Sequence, residues 1–415
     1  MKLLLLSIII SNYLWSFACP NIRLDKNFPN NTPRNKAKYK TMNSIGVKNQ
    51  KLGICYAYTA TQMIDAIRSK RLYERGITPN NSNLIESSPI FTAVTTESAW
   101  GDEELTYKKN GDPRYPFEGG DLCEAFNSTK ELKACPRNQM ERLIHNSGLN
   151  EESFFKRLLE IEEEMRDKRA QVFLKYSTQP APFATSTNVV NFFENSSNAT
   201  TELKACKNNA IHETYDSLKD IFKSNFTITR EMFAKYFDPE LFSDPFQIKS
   251  ILKNVCDARI TVNTKSTCKS MTGRDANRIK DTKYPFTRKI LEELASDSVP
   301  VGISYCGYML YGDKNFDGIK SRSPLRFQKS QGRECGAHSS LIIGSRWNTK
   351  TNSCDLLVRN TWGTGCSKQH YPSKSTLQKK NPGKSISQYD VKCEGGNYWI
   401  DYRTLEKNIY RVQHL

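Results

Sequence analysis

Past residue 18, this 415-residue chain has no apolar run approaching the roughly 18–20 residues that span a bilayer, so no membrane-crossing helix is expected in it. Metal-ligand spacing is missing too. There is no Cys-x2-Cys pair, and neither a metal nor any other cofactor is expected. The run Asp313-Lys314-Asn315-Phe316-Asp317-Gly318 lacks an acidic ligand at the end of the loop and reads as a solvated turn rather than a calcium loop. Histidine is scarce, five in all. His145, His212, His370 and His414 stand outside any recognisable motif and read as surface residues. Nor is charge of one sign concentrated. The 61 Lys and Arg exceed the 44 Asp and Glu by a formal +17, but acidic residues are interleaved with the basic ones, as along 160–169. That is the pattern of a solvated helix face. The densest basic stretch, 368–392, reads as a loop insertion, and no nucleic-acid partner is expected.

What is present begins with Lys2, the stretch Leu3-Leu4-Leu5-Leu6-Ser7-Ile8-Ile9-Ile10 and the small-x-small run Ser16-Phe17-Ala18. Together they read as a secretory signal at 1–18, too short for a membrane span, and predict a secreted, periplasmic or extracellular protein. Cys19, directly after the cleavage point, leaves a second reading open, a lipoprotein anchored through an acylated Cys19, which Phe17 fits poorly. Of 12 cysteines, setting aside Cys19 and Cys55 leaves ten, enough for five disulfides in an oxidising compartment. Short-loop pairs are expected: Cys123 with Cys135, Cys256 with Cys268 and Cys366 with Cys393, with Cys206, Cys306, Cys335 and Cys354 supplying the rest.

Three short motifs carry chemistry: Gln50-Lys51-Leu52-Gly53-Ile54-Cys55-Tyr56, then Gly336-Ala337-His338, then Asn360-Thr361-Trp362-Gly363. A thiol, an imidazole and an amide in that order are the parts of a cysteine-nucleophile acyl-transfer site. Ala57, Ala60, Ile64 and Ile67 recur at helical spacing and predict a helix over 56–70, with Cys55 at its N-terminus. Unpaired N–H groups and the positive dipole end there favour a thiolate, and a neighbouring imidazolium would lower the thiol pKa further from about 8.5. His338 is the expected proton carrier. The Asn360 side-chain oxygen would accept its other ring N–H, and the Gln50 NH2 and Cys55 N–H would donate to the oxyanion of a tetrahedral intermediate.

In these motifs and their order the chain resembles the papain-like (C1) cysteine peptidases, over about half of its length after the signal. Further matching segments are Val47-Lys48-Asn49-Gln50, Ser88-Pro89-Ile90-Phe91, Glu118-Gly119-Gly120, Val299-Pro300-Val301-Gly302-Ile303, His338-Ser339-Ser340-Leu341-Ile342-Ile343-Gly344 and Leu356-Leu357-Val358-Arg359-Asn360. The resemblance implies a two-lobed α+β fold, with a helical half bearing Cys55, a β-barrel-like half bearing His338 and Asn360, and a cleft between them. It also implies a polypeptide substrate lying along Gly119 and Gly120, a mainly apolar second pocket lined by Ile303 and Ala337, and Trp362 shielding the His338–Asn360 pair from water. Where the family carries Cys-Gly-Ser-Cys-Trp, this chain has Leu52-Gly53-Ile54-Cys55-Tyr56, one residue shorter between glutamine and cysteine and without that disulfide. The separation 338 − 55 = 283 positions is roughly twice the family's ~130–150, so a large insertion is expected.

The expected organisation is an irregular N-terminal arm at 19–39, with no room for the family's long helical pro-region, and a helical half at 40–120. A helical insertion follows at 121–288 and a β-rich half at 289–415. Within the insertion Phe154, Phe155, Leu158, Leu159, Ile161 and Met165 form an apolar stripe on a charged helix. Strands are expected at 300–305, 338–346, 354–360 and 396–402. The functional expectation is an exported cysteine endopeptidase working through a Cys55 thioester. The alternatives are a catalytically silent papain-fold binding protein and an acyl-transfer enzyme acting on a non-protein amide such as a cell-wall crosslink. Oligomeric state is not written in the sequence.

Overall fold

A computed structural model describes residues 19–28, 35–50, 52–96, 119–177, 200–223, 229–234, 256, 259–279, 283–311, 337–365 and 392–415. The signal at 1–18, Glu118, the 313–318 run, Gly336, His370 and most of the basic stretch lie outside the described residues. The fold is mixed α and β with one antiparallel sheet. Two compact units are present. One comprises Met1–Glu86, Gly119–Glu131 and Val262–Leu415, the other Ser87–Glu118 and Leu132–Thr261. The insertion expected at 121–288 overlaps the second unit, but that unit already begins at Ser87 and ends at Thr261.

Among the described residues the first unit holds every strand: β1 (Ile22–Arg23), β2 (Lys269–Thr272), β3 (Val301–Cys306), β4 (Ala337–Asn348), β5 (Ser353–Arg359), β6 (Lys392–Glu394), β7 (Asn397–Asp401) and β8 (Ile409–His414). The order is β2-β8-β3-β4-β5-β7-β6, with β1 pairing separately with β4. β3 and β5 are buried along their whole length, so both faces of the sheet are covered there and polar alternation is lost. One cover is the Cys55–Glu74 helix, which packs on β3 and β4. At Gly302 of β3, a Cβ would sit 3.3 Å from Met63 Sδ of this helix, so strand and helix approach closely there.

This helix differs from the expected amphipathic one, because everything from Tyr56 to Ile67 is buried. Its polar residues enter the core by bonding their own backbone. Thr59, Thr61 and Gln62 donate to the carbonyls of Cys55, Ala57 and Tyr58, and Asp65 pairs with Arg68. Apolar spacing marks one packed face; it does not tell how many other faces are covered.

The arm expected to be irregular supplies β1, with Ile22 opposite Ser345 and the Leu24 N–H donating to the Ile343 carbonyl at 2.9 Å. Arg23 is buried there against Asp25 and Glu394. A Cys19–Cys354 disulfide staples the arm to β5, which leaves the Cys19 sulfur no valence for a lipid and corrects the anchored reading. Two of the three short-loop pairs are corrected as well, and the third, Cys366 with Cys393, involves a residue outside the described ones. Cys123 bonds Cys268 and Cys135 bonds Cys256, 145 and 121 positions apart, each within one unit. Folding brings the end of one segment against the start of a distant one, and nearness along the chain did not decide the partners. Cys306 and Cys393 are disulfide-bonded too. Among the described residues, no helix is long and apolar enough to cross a membrane.

In the second unit the apolar stripe is a core face. Phe154, Phe155, Leu158, Leu159, Ile161 and Met165 are buried, and the Glu151–Ser177 helix packs on the Thr200–Phe222 helix with the Phe154 and Phe222 rings edge to face at 6.0 Å.

The β1–β4 contact makes a sharp prediction. A Cβ at Gly344 would lie 2.5 Å from the Ile22 carbonyl oxygen, so Gly344→Ala must push β1 off β4. It is expected to lower stability by about 1–3 kcal/mol in thermal or urea unfolding. Gly46→Ala, where the Cβ meets open space, is the control and is expected to be near neutral. Equal melting temperatures for the two variants would refute the close packing of β1.

Candidate active site

The site is built from three stretches of the first unit. The first, 48–50, runs antiparallel to 361–363: the Gln50 N–H donates to the Thr361 carbonyl at 2.6 Å, the Gly363 N–H to the Lys48 carbonyl at 2.7 Å, and Asn49 bridges Trp362. This short ladder fixes the register between the segment before Cys55 and the segment carrying Asn360. A tight turn follows, closed by the Ile54 N–H on the Leu52 carbonyl at 2.8 Å, and Cys55 opens its helix. No side chain caps Ile54 and no acidic residue occupies the first turn, while the N–H groups of Cys55 and Tyr56 turn to the Cys55 sulfur. Gly119 and Gly120 come against this corner. The Gly119 N–H donates to the Gly53 carbonyl at 3.3 Å, and a Cβ on Gly120 would lie 2.6 Å from the buried Tyr56 ring.

His338, on β4, sits opposite Tyr305 of β3, and its Nε2 lies 2.7 Å from Asn360 Oδ1. The same oxygen accepts from the Thr361 N–H at 2.8 Å and from the Ser340 hydroxyl at 3.4 Å. A backbone N–H can only donate, so the carboxamide must present its oxygen. His338 Nε2 therefore carries the ring proton and Nδ1 is the basic nitrogen. Asn360 Nδ2 is buried with no hydrogen-bond partner. Trp362 lies over the imidazole, ring centres 4.7 Å apart, and Tyr305 meets it edge-on at 5.5 Å, so apolar surface walls the pair.

Ser339, next to His338, joins the two halves of the chemistry. Its backbone N–H and its hydroxyl both donate to the Cys55 sulfur, which places the thiol one residue along β4 from the imidazole. The electrostatics differ from the sequence expectation. Burial pushes the Cys55 thiol up against the Ser339, Tyr56 and Cys55 donors, and burial pushes His338 down to about 4 against its bond to Asn360. Near pH 7 the resting pair is thus a neutral thiol and a neutral imidazole. The helix-terminal N–H groups are where the spacing put them, but desolvation, which no motif displays, outweighs them.

Gln50 is held on both sides of its amide. Nε2 donates to the Leu52 carbonyl at 2.5 Å and Oε1 accepts from the Thr361 hydroxyl at 2.6 Å. One N–H of the expected oxyanion donor is therefore taken up locally. Ile303 and Ala337 do not come together. Ile303 pairs with Ser340 and Ala337 with Cys306, and successive residues alternate faces, so the two point to opposite sides of the sheet. Ile303 is fully buried while Ala337 is exposed, and no shared apolar pocket is formed by them. On the face that meets Cys55 the sheet carries hydroxyls instead. Ser304 pairs with Ser339, their oxygens 3.4 Å apart, and Gln413 Nε2 donates to Ser304 Oγ at 2.6 Å. Tyr410, pushed up to about 12 by burial and by the nearby Cys55, also bonds Ser304. None of these four was singled out as a site residue in the sequence; Ser304 and Ser339 lie in 300–305 and 338–346, which registered as apolar strands, and there the interrupting hydroxyls were the available signal.

Elsewhere, His145 is exposed, His212 is exposed and pairs with Asp216, and His414 faces Glu293 at 3.4 Å. Among the described residues no group of three His, Cys, Asp or Glu side chains is placed to hold a metal. No family model matches the chain, and no curated protein does. Among solved structures, the crystal structure of PepW from Lactobacillus rhamnosis HN001 (DR20) is similar at 11% identity with a TM-score of 0.36, over 89% of this chain and 80% of that one. A likeness of that size carries no argument about this chain.

The low His338 pKa predicts a pH dependence of stability. His338 titrates near 6.5 when unfolded and at about 4 when folded, so between these values the unfolded chain binds more protons. Its stability contribution is fully present above pH 6.5 and is lost as pH falls towards 4, by about 3 kcal/mol in total. Urea unfolding of wild type and His338→Gln should therefore give curves that diverge at neutral pH and converge in acid. Parallel curves would show that His338 is not held neutral by burial.

Proposed function

We propose that this chain is a papain-like cysteine peptidase that hydrolyses peptide bonds through a Cys55 thioester, exported to an oxidising compartment where its disulfides form. The observation that carries the reading is the placement of Cys55 at an uncapped helix N-terminus, bonded to the residue next to an imidazole that Asn360 holds in the Nε2–H tautomer. In this reading the Cys55 S–H proton passes to His338 Nδ1 as the sulfur attacks the substrate carbonyl carbon. Because both partners rest neutral, the transfer accompanies the attack and does not precede it. The tetrahedral oxyanion collapses, the C–N bond breaks, and the leaving amine takes the proton from Nδ1. Water, deprotonated by Nδ1, then attacks the thioester and releases a carboxylic acid, and the proton returns to sulfur. Asn360 keeps the ring oriented through both steps, and Trp362 and Tyr305 keep water from competing for its bond.

One observation favours a second reading, a papain-fold protein that binds peptides without cutting them: Gln50 donates to Leu52 and not into open space. A panel of fluorogenic peptides separates the two. The peptidase reading expects turnover that is abolished in Cys55→Ala and reduced about 10²–10⁴-fold in His338→Ala. Folded protein that binds peptides and turns none over would establish the second reading, and turnover surviving in Cys55→Ala would overturn the first.

A further inference from the structure

The Cys55 sulfur is partly buried and its surrounding donors, from Ser339, Tyr56 and Cys55 itself, are all neutral, while β3, β4 and β8 contribute a run of polar side chains that leads to it through Ser339. We propose that Gln413, Ser304 and Ser339 form a one-way hydrogen-bond chain that ends on Cys55 and stabilises its thiolate, Ser339 as a catalytic residue touching the sulfur and the other two as positioning residues behind it.

The direction of the chain follows from its members. Gln413 is wholly buried on β8, and its Nε2, which can only donate, gives a hydrogen bond to Ser304 Oγ at 2.6 Å. Tyr410 keeps its phenolic proton up to about 12 and also bonds Ser304, so it can fill the second lone pair of the same oxygen. Ser304 Oγ and Ser339 Oγ lie 3.4 Å apart and either hydroxyl can donate; in the proposed chain Gln413 and Tyr410 both donate to Ser304, whose O–H is then directed to Ser339. The Ser339 O–H is then left for the Cys55 sulfur, where the Ser339 backbone N–H already donates. Each hydroxyl in such a chain is polarised by the donor behind it, and a hydrogen bond to a charged acceptor is stronger than one to a neutral one. The geometry is rigid because Ser304 pairs with Ser339 across β3 and β4, and Ser304 pairs with Arg411 on β8, two residues from Gln413. A sheet-mounted chain needs no side-chain reordering when the charge appears on sulfur.

The inference rests on Cys55 being the nucleophile, and its test is read without peptide turnover. The rate of Cys55 alkylation by iodoacetamide is followed across pH on disulfide-intact protein, with peptide mapping and far-UV and thermal controls for folding. Ser339→Ala is expected to raise the midpoint of the pH–rate curve by about one unit, a roughly tenfold slower alkylation at neutral pH. Ser339→Thr, which keeps the hydroxyl, restores the wild-type midpoint, and Ser304→Ala gives a smaller shift in the same direction. An unchanged or lowered midpoint in Ser339→Ala overturns the proposal. A shift in Ser339→Ala with none in Ser304→Ala overturns the chain behind Ser339, and if Ser339→Ala does not fold, the Ser304→Ala midpoint decides alone. Loss of the peptidase reading appears differently, as absent hydrolysis with these shifts intact.

Discussion

One carboxamide oxygen, Asn360 Oδ1, receives three donors, and the chemistry of the site depends on that convergence. The Thr361 N–H and the Ser340 hydroxyl set which end of the amide faces His338, and this sets which ring nitrogen is protonated. Thr361 is itself fixed from outside. Its carbonyl and hydroxyl are both engaged by Gln50, so the segment that precedes Cys55 also orients the group that orients the histidine. A single short ladder between 48–50 and 361–363 thereby ties the segment before Cys55 to the one that carries Asn360, although 360 − 55 = 305 positions separate those two residues.

β4 is the beam on which this register is kept. Strand alternation sends His338 and Ser340 to the side of Asn360 and Tyr305, and sends Ser339 to the side of Ser304. Farther along the strand, Gly344 admits β1, and the Cys19–Cys354 disulfide holds the arm that supplies β1. Burial gives the site its second character. The same packing that excludes water from the imidazole withdraws solvation from both reacting groups, so each rests uncharged and reactivity depends on donors already in place.

The grouping of His338 with Asn360 and Trp362, and the place of Cys55 at a helix start, were legible in the sequence because each residue sits in a short run of characteristic residue types. The helix expected over 56–70 is found as Cys55–Glu74, and the strands expected at 300–305, 338–346 and 354–360 are found within a residue or two as Val301–Cys306, Ala337–Asn348 and Ser353–Arg359. β2, with the sequence Lys-Ser-Met-Thr, has no apolar alternation to announce it, and its position comes from pairing with β8. What stayed hidden is long-range. The partner of Cys19, the bonds that hold Gln50, the faces of Ile303 and Ala337 and the hydroxyls beside the thiol are all set by which strand lies next to which. Desolvation of Cys55 and His338 is hidden for the same reason, because it sums the packing of many residues that no motif contains.

The central claim is that Cys55 forms a covalent acyl intermediate, and trapping that intermediate tests it most directly. A reactive peptide ester is mixed with the disulfide-intact protein, quenched in acid on the millisecond to second scale, and the protein is weighed intact and mapped by peptide mass spectrometry. The account predicts a single adduct of the acyl mass on Cys55, cleaved by hydroxylamine as a thioester must be and absent in Cys55→Ala. Turnover of the ester with no adduct on Cys55, or an adduct that persists in Cys55→Ala, would contradict it.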